Sequence, residues 1–225
     1  MPEIETAIKG TETKSSAVQK ITDVNEGFLR GTLLDLKMNR SHTVFTISVN
    51  TGNKPETFNI LDFKPGTVPA VKVGDKIDVK CHLEINRIKK ADGSYAFTQL
   101  VVADSVKKTA RELAYRFPEV AARTKGGGYP SDRNVFYISG TFRSVRRTGN
   151  ETHVISARMR KPDGKHLGVS ISTVKNRGNM FSGAHAGDHI MASGYIYASE
   201  SWGDCAGVMF SCRDILWVKN PTVPD

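Results

Sequence analysis

Apolar and polar residues alternate in short runs along most of this chain. In residues 43–49, TVFTISV, the apolar residues Phe45, Ile47 and Val49 stand at every second position, which is the period of a β-strand with one buried face. Residues 76–85, KIDVKCHLEI, follow the same period. Turns rich in Gly, Pro, Asn and Asp separate such runs, and the whole pattern predicts an all-β protein.

The predicted strands form two series of five in the same order. The first series comprises residues 28–36, 43–49, 57–63, 76–85 and 95–106, and the second comprises residues 135–145, 152–160, 166–173, 189–199 and 207–218. Each first strand contains a Gly-Thr pair, at Gly31 and Gly140, and a Gly-Asp pair precedes each fourth strand, at Gly74 and Gly187. Ordered matches across five strands indicate duplication of one small domain.

The segment between the two series predicts a helix followed by a flexible linker. Apolar residues recur at helical spacing from Val106 to Phe117, Pro118 interrupts the pattern, and three consecutive glycines begin at Gly126. The expected organisation is therefore a flexible N-terminal arm over residues 1–25, a first domain over 26–108, a helical and Gly-rich linker over 109–132, a second domain over 133–220 and a short tail over 221–225.

Composition is that of a soluble globular protein. Hydrophobic residues make up 39% of the chain, and no apolar run approaches the ~20 residues that a membrane-spanning helix needs. The N-terminal residues mix acidic and basic side chains, unlike a secretory signal. We therefore expect a cytoplasmic protein without a membrane partner.

The net charge of +9 suggests a polyanionic partner. The excess of positive charge lies in the two predicted domains, at +4 for residues 26–108 and +6 for residues 133–220, rather than in a tail. This distribution favours a folded basic surface over a disordered basic arm.

The sequence contains no motif that indicates catalysis or metal binding. The three cysteines, Cys81, Cys205 and Cys212, form no CxxC pair, and the six histidines are scattered. There is no nucleophile elbow, phosphate-binding loop or zinc-protease motif. We expect no enzyme activity, no metal and no cofactor.

Each series of strands resembles the OB-fold. The shared features are five short strands, a central glycine in the first strand (Gly31 and Gly140), a long connection between the third and fourth strands, and the Gly-Asp turns at Gly74 and Gly187. The chain is similar over residues 26–108 and 133–220 to tandem OB-fold single-stranded DNA-binding proteins of the phage or replication protein A type. This resemblance implies two five-stranded Greek-key barrels in tandem, and a host-cytoplasmic location if the protein is phage-encoded.

Binding single-stranded DNA requires cations along the phosphates and aromatic faces for the bases. In the second domain, strand alternation points Arg158 and Arg160 out of the barrel and leaves Tyr195 and Tyr197 outside on the fourth strand. Trp202 lies in the following loop and could cover a base. The remaining candidate phosphate contacts of this domain are Arg143, Arg146, Arg147, Lys175 and Arg177.

The first domain offers cations but few flat side chains. The outward face of its fourth strand carries Lys80 and His82 and no aromatic residue. Phe63 is a candidate for stacking in a loop, although a core position is the more ordinary one for Phe58 and Phe63. The other candidate phosphate contacts of this domain are Lys37, Arg40, Lys64, Arg87 and Lys89. We therefore expect the second domain to dominate affinity.

The function predicted from these features is sequence-tolerant binding and protection of single-stranded DNA in replication, recombination or repair. Two alternatives remain open: an OB-barrel assembly protein that makes protein–protein contacts, as in a phage particle or a secretion complex, and an RNA-binding barrel protein. Self-association through the N-terminal arm also remains open.

Overall fold

The structure, a computed structural model, describes residues 23–51, 54–64, 70–90, 92–109, 132–148, 152–161, 163–173, 184–198 and 207–219. These residues form ten β-strands and no helix, which confirms the expectation of an all-β protein. The strands are β1 (Asn25–Met38), β2 (Thr43–Val49), β3 (Glu56–Asp62), β4 (Lys76–Lys89), β5 (Tyr95–Lys108), β6 (Arg133–Thr148), β7 (Thr152–Arg160), β8 (His166–Thr173), β9 (His189–Ala198) and β10 (Val208–Val218).

Several strands extend further than the hydrophobic pattern indicated. β1 begins at Asn25, and β6 continues through Arg146 and Arg147 to Thr148, so these two arginines lie on a strand and not in a turn. Val106 belongs to β5, which runs on to Lys108, and the predicted helix therefore does not begin there. The rest of the predicted helix and the three glycines lie outside the described residues.

β1 changes its pairing partner halfway along its length. Residues Gly27 to Thr32 pair with β4, and Thr32 to Met38 pair with β2. A Cβ atom on Gly31 would lie 2.4 Å from the backbone oxygen of Ser48, so only glycine allows the strand to pass so close to β2 at the change of partner. With the β2–β3, β3–β5 and β4–β5 pairings, the first five strands form a cycle in the order β1-β2-β3-β5-β4-β1.

The last five strands repeat this cycle in the order β6-β7-β8-β10-β9-β6. β6 pairs with β9 over Phe136 to Thr141 and with β7 from Thr141 onwards. Gly140 approaches the backbone oxygen of Arg158 as Gly31 approaches Ser48, since a Cβ there would lie 2.9 Å away. β1 and β6 pair antiparallel, and this pairing joins the two cycles into one ten-stranded sheet.

Side-chain burial follows the predicted alternation. On β9, Ile190, Ala192 and Ile196 are buried, and on β7 the same holds for Ile155, Ala157 and Met159. Cys81 and Cys212 are buried core residues, as expected. The core includes four phenylalanines that are almost completely buried: Phe45, Phe58, Phe136 and Phe210.

The two Gly-Asp turns have the same hydrogen bonds. The carboxylate of Asp75 accepts a hydrogen bond from the backbone N–H of Lys72 at 2.9 Å, and that of Asp188 accepts one from His185 at 2.8 Å. Gly74 and Gly187 have φ angles of 90° and 109°, in the region that favours glycine. Each turn fixes the chain just before the fourth strand of its cycle.

Candidate nucleic-acid interface

The hairpin of β4 and β5 presents two cations and two aromatic rings on one face. Arg87 pairs directly with Phe97, and Lys89 pairs with Tyr95, so all four side chains point the same way. The guanidinium carbon of Arg87 lies 3.4 Å from the centre of the Tyr95 ring. Phe97 is 65% exposed and Tyr95 is 44% exposed. We call these four residues the hairpin platform.

Tyr95 and Phe97 of the hairpin platform add two exposed flat side chains to the few that we expected in the first domain. Arg87 and Lys89 were predicted as cations, but their aromatic partners were assigned only to a strand. The sequence contained a signal for this pairing. The Asp92-Gly93 turn sets the register of the hairpin, and this register places Tyr95 and Phe97 opposite Arg87 and Lys89. Exposed aromatic side chains beside cations are the composition that stacking on unpaired bases requires.

Tyr195 and Tyr197 project outward from β9, as the alternation predicted, but both are half-buried. The guanidinium carbon of Arg213 on β10 lies 5.0 Å from the centre of the Tyr195 ring. The hydroxyl oxygen of Tyr197 lies 3.4 Å from Oγ of Ser172 on β8. The cation beside Tyr195 is thus a residue that the sequence analysis did not select.

Arg158 and Arg160 are exposed on β7, as predicted, but the structure does not bring them next to these tyrosines. Arg158 pairs with Thr141, and Thr141 pairs with His189 at the start of β9. From His189 to Tyr195 the strand advances six residues, or about 20 Å. Arg158 and the tyrosines therefore belong to different parts of the surface.

Three arginines of β6 are exposed. Arg143, Arg146 and Arg147 are all exposed, and Arg146 and Arg147 pair with Val154 and His153 of β7. Because they lie on paired strands, their backbone positions are fixed. They remain candidates for phosphate contacts.

The end of β1 and the turn after it carry exposed cations, and a residue of this turn contacts an aromatic ring. Lys37 and Arg40 are exposed. Phe63 is 52% exposed, so it is not a core residue, and its ring centre lies 5.7 Å from that of His42. Nζ of Lys64 donates to the backbone oxygen of Asp104 at 2.8 Å, which holds that side chain in place.

Two predicted contacts on β4 are held by carboxylates. Lys80 forms an ion pair with Glu26, and the hydrogen bond from Lys80 to Glu26 raises the pKa of the lysine above its ordinary value. The ring nitrogen Nδ1 of His82 lies 2.9 Å from a carboxylate oxygen of Asp104. His82 also lines a cleft of about 360 Å³ between the two cycles, together with Asp23, Glu84, Asp104, Arg160 and Lys161. Acidic residues make this region a poor site for phosphate.

Lys175, Arg177 and Trp202 lie outside the described residues. Within the part of the chain that the structure describes, no group of three or more His, Cys, Asp or Glu residues is arranged to hold a metal ion. No helix long and apolar enough to cross a membrane occurs in that part either.

Comparison with known proteins identifies similar structures but no similar sequences. No family model matches the chain, and no curated protein matches it. The wild-type single-stranded DNA-binding protein from Thermus aquaticus matches with a TM-score of 0.60 and 14% identity, over 91% of this chain and 98% of that chain. A deletion mutant of the same protein matches with a TM-score of 0.60 and 13% identity, over the same shares of each chain.

A mitochondrial single-stranded DNA-binding protein from S. cerevisiae, Rim1, matches 39% of this chain and 96% of its own, with 15% identity and a TM-score of 0.32. At the identities found, the likeness to the Thermus protein is one of fold. It covers nearly the whole of both chains, in agreement with the resemblance seen in the sequence. The protein has an OB-type fold like that of the Thermus aquaticus single-stranded DNA-binding protein.

Proposed function

We propose that this protein binds single-stranded DNA without strong sequence preference. The observation that carries the proposal is the hairpin platform, where Arg87 and Lys89 stand directly opposite Phe97 and Tyr95 on an exposed face. OB-fold proteins use the connection between their fourth and fifth strands to bind oligonucleotides. The β4–β5 hairpin occupies that place in the first cycle of strands.

The two kinds of side chain on the platform would contribute differently. Stacking of a base on Tyr95 or Phe97 is worth roughly 1–3 kcal/mol and tolerates any base, because every base has a flat face. Arg87 and Lys89 would contact phosphates and release counterions from the DNA. The exposed arginines of β6, with Arg158 of β7, extend the basic surface into the second cycle of strands.

The proposal includes the finer architecture. The cycles β1-β2-β3-β5-β4-β1 and β6-β7-β8-β10-β9-β6 are what two OB-type barrels in tandem require, with β3–β5 and β8–β10 as the parallel pairings. The likeness of fold to the Thermus aquaticus protein extends over 91% of this chain, so both cycles take part in it. Coating of DNA during replication, recombination or repair is the biological setting that we propose for such a protein.

Titration of a fluorescent dT oligomer at several salt concentrations tests the proposal. The logarithm of the binding constant should fall linearly with the logarithm of salt concentration, with a slope of about −0.7 for each phosphate neutralised. A duplex of the same length should compete poorly. Binding that is insensitive to salt, or that prefers duplex, would contradict the proposal, and competition by RNA of the same sequence measures the preference between DNA and RNA.

An exposed apolar patch favours protein contacts as a second candidate function. Tyr137, Met191 and Leu216 are 43%, 47% and 67% exposed on the neighbouring strands β6, β9 and β10. With Val24 they line a shallow groove of about 190 Å³. Exposed apolar patches often mark interaction sites. A chain that fails to bind oligonucleotides, but whose assembly state in sedimentation changes with Leu216→Asp, would support this candidate instead.

A further inference from the structure

Gln99 of β5 is inserted between two strands of the second cycle. β8 and β10 pair in parallel from Ile171 and Phe210 onwards. Immediately before that point, Oε1 of Gln99 accepts a hydrogen bond from the backbone N–H of Ser170 at 3.1 Å, and Nε2 donates to the backbone oxygen of Val208 at 3.3 Å. The side-chain amide therefore acts as one further rung between β8 and β10.

The surrounding contacts hold the β4–β5 hairpin firmly against the second cycle. Gln99 is 5% exposed, and its backbone also pairs with Val208. A Cβ on Gly207 would lie 1.9 Å from Oγ1 of Thr98, so glycine is needed for the close approach. Nζ of Lys161 lies 2.5 Å from Oε1 of Glu84 on β4. The orientation of the hairpin thus depends on the second cycle of strands.

Strand direction determines where the hairpin platform lies. β5 runs antiparallel to β10 at Gln99, and β10 runs parallel to β8, so residues before Gln99 lie towards the C-terminal end of β8. At that end Ser172 pairs with Val154, and Val154 pairs with Arg146. The platform residues therefore lie on the side of Gln99 towards this end of β8, and Arg146 stands on β6, two strand spacings or about 10 Å from β8.

We propose that the hairpin platform and Arg146 form one composite site for single-stranded DNA, with Gln99 as its positioning residue. The proposal rests on the proposed function and adds a route for the DNA. Bases stack on Tyr95 and Phe97 of the first cycle, and the phosphates that follow contact Arg146 of the second. DNA then passes from one cycle to the other across the contact that Gln99 holds.

The test compares short and long dT oligomers on the full-length chain. An oligomer of roughly 6 nucleotides fits one part of the site, and one of roughly 20 spans both, given site sizes of roughly 4–16 nucleotides per OB-fold. Gln99→Met removes both hydrogen bonds at similar side-chain length. The Gln99→Met variant should bind the long oligomer about tenfold more weakly than wild type and the short oligomer less than about twofold more weakly. When Gln99→Met is already present, adding Arg146→Gln should weaken binding of the long oligomer little further.

Two further variants make the result specific. Gly207→Ala displaces Thr98 without removing a polar group. It should weaken binding of the long oligomer as Gln99→Met does. Thermal unfolding checks that each variant folds. Asn59→Ala, which removes an exposed hydrogen bond to Thr46 on β2, is the control and should change neither affinity.

Unchanged affinity of both folded variants for the long oligomer would overturn the composite site and leave the proposed function intact. An equal loss for both oligomers would also overturn it, because Gln99 would then support the platform alone. Failure of the wild-type chain to bind either oligomer would overturn the proposed function and the composite site with it.

Discussion

Asn134 binds the backbone of Ile196 through both ends of its side chain. Nδ2 of Asn134 donates to the carbonyl oxygen of Ile196 at 2.7 Å, and Oδ1 accepts from the N–H of Ile196 at 3.0 Å. In the first cycle Asn25 makes the same two bonds to Leu83, at 2.7 and 3.0 Å. Each asparagine thus continues the pairing between the first and fourth strands of its cycle by one side-chain rung.

Replacement of Asn134 by leucine should destabilise the protein by about 2–4 kcal/mol, because it removes two hydrogen bonds and leaves buried backbone groups of Ile196 unsatisfied. Asn134 is 6% exposed, so water cannot replace the lost bonds. Urea unfolding measures the change. Asn59→Ala, at an exposed site, should stay within ~0.5 kcal/mol of wild type, and an equal loss for both variants would contradict this account.

The sequence predicted those parts of the fold that leave a periodic signal. Strand alternation correctly divided β9 into a buried face with Ile190 and Ile196 and an outer face with Tyr195 and Tyr197. The Gly-Asp turns were found because Gly74 needs a positive φ angle, a local requirement that is visible in the residue type. Both are properties of a single segment and need no knowledge of its neighbours.

Long-range contacts left no such signal. Asn25 was assigned to a flexible arm because nothing near it in the chain shows that its partner is Leu83. Gln99 looked like an ordinary strand residue, and its partners lie in the other half of the chain. The separation of Arg158 from Tyr195 follows from the register of three strands, which alternation alone cannot give.

Gly27 and Phe136 are paired residues that occupy equivalent positions in the two halves, four residues before Gly31 and Gly140 respectively. A Cβ on Gly27 would lie 2.2 Å from the buried ring of Phe136. Gly27→Ala should therefore cost about 1–3 kcal/mol through overpacking. Thermal or urea unfolding of the variant measures this cost.

A second substitution, at Phe136, tests whether Gly27→Ala loses stability through overpacking against that ring. Phe136→Leu in the Gly27→Ala background should recover part of the loss, as a coupling of about 0.5–3 kcal/mol in a double-mutant cycle. Gly168→Ala is the matched control, because a Cβ there meets nothing within 4 Å. Strict additivity of the two substitutions would contradict the steric explanation.

Stability should depend on Asp75 in acid. The hydrogen bond from Lys108, with Nζ 2.6 Å from a carboxylate oxygen, and the backbone N–H of Lys72 hold the pKa of Asp75 below its ordinary value of 3.8. A lowered pKa means that ionised Asp75 stabilises the folded state above about pH 3.8, and that this contribution is lost as the pH falls further.

The stability difference between wild type and Asp75→Asn should therefore be present at neutral pH and shrink below about pH 3.8. The same comparison in a Lys108→Met background should show a smaller dependence on pH, because the main cause of the lowered pKa is gone. Urea unfolding at a series of pH values gives both curves. If the stability difference between wild type and Asp75→Asn grows as the pH falls, ionised Asp75 does not stabilise the folded state in the way proposed.

The last prediction concerns which surface binds DNA. Phe97 and Leu216 are exposed to nearly the same extent, 65% and 67%, but Phe97 stands opposite Arg87 on the hairpin platform, whereas Leu216 pairs with Met191 on the apolar patch. Phe97→Ala should weaken binding of a dT oligomer by roughly 1–3 kcal/mol if one base stacks there. Leu216→Ala should leave the affinity unchanged, since an aliphatic side chain away from cations offers neither stacking nor charge.

Charge on the platform is tested by the salt dependence in the same titrations. Arg87→Gln should flatten the log–log slope by about 0.7 if it loses one phosphate contact, whereas Phe97→Ala should lower affinity and leave the slope as it was, because no counterion is released by stacking. Tyr195→Ala should cost less than Phe97→Ala, since Tyr195 is half-buried beside Arg213. If Leu216→Ala or Tyr195→Ala weakens binding more than Phe97→Ala does, the DNA lies on the second cycle of strands and the hairpin platform is not the main site.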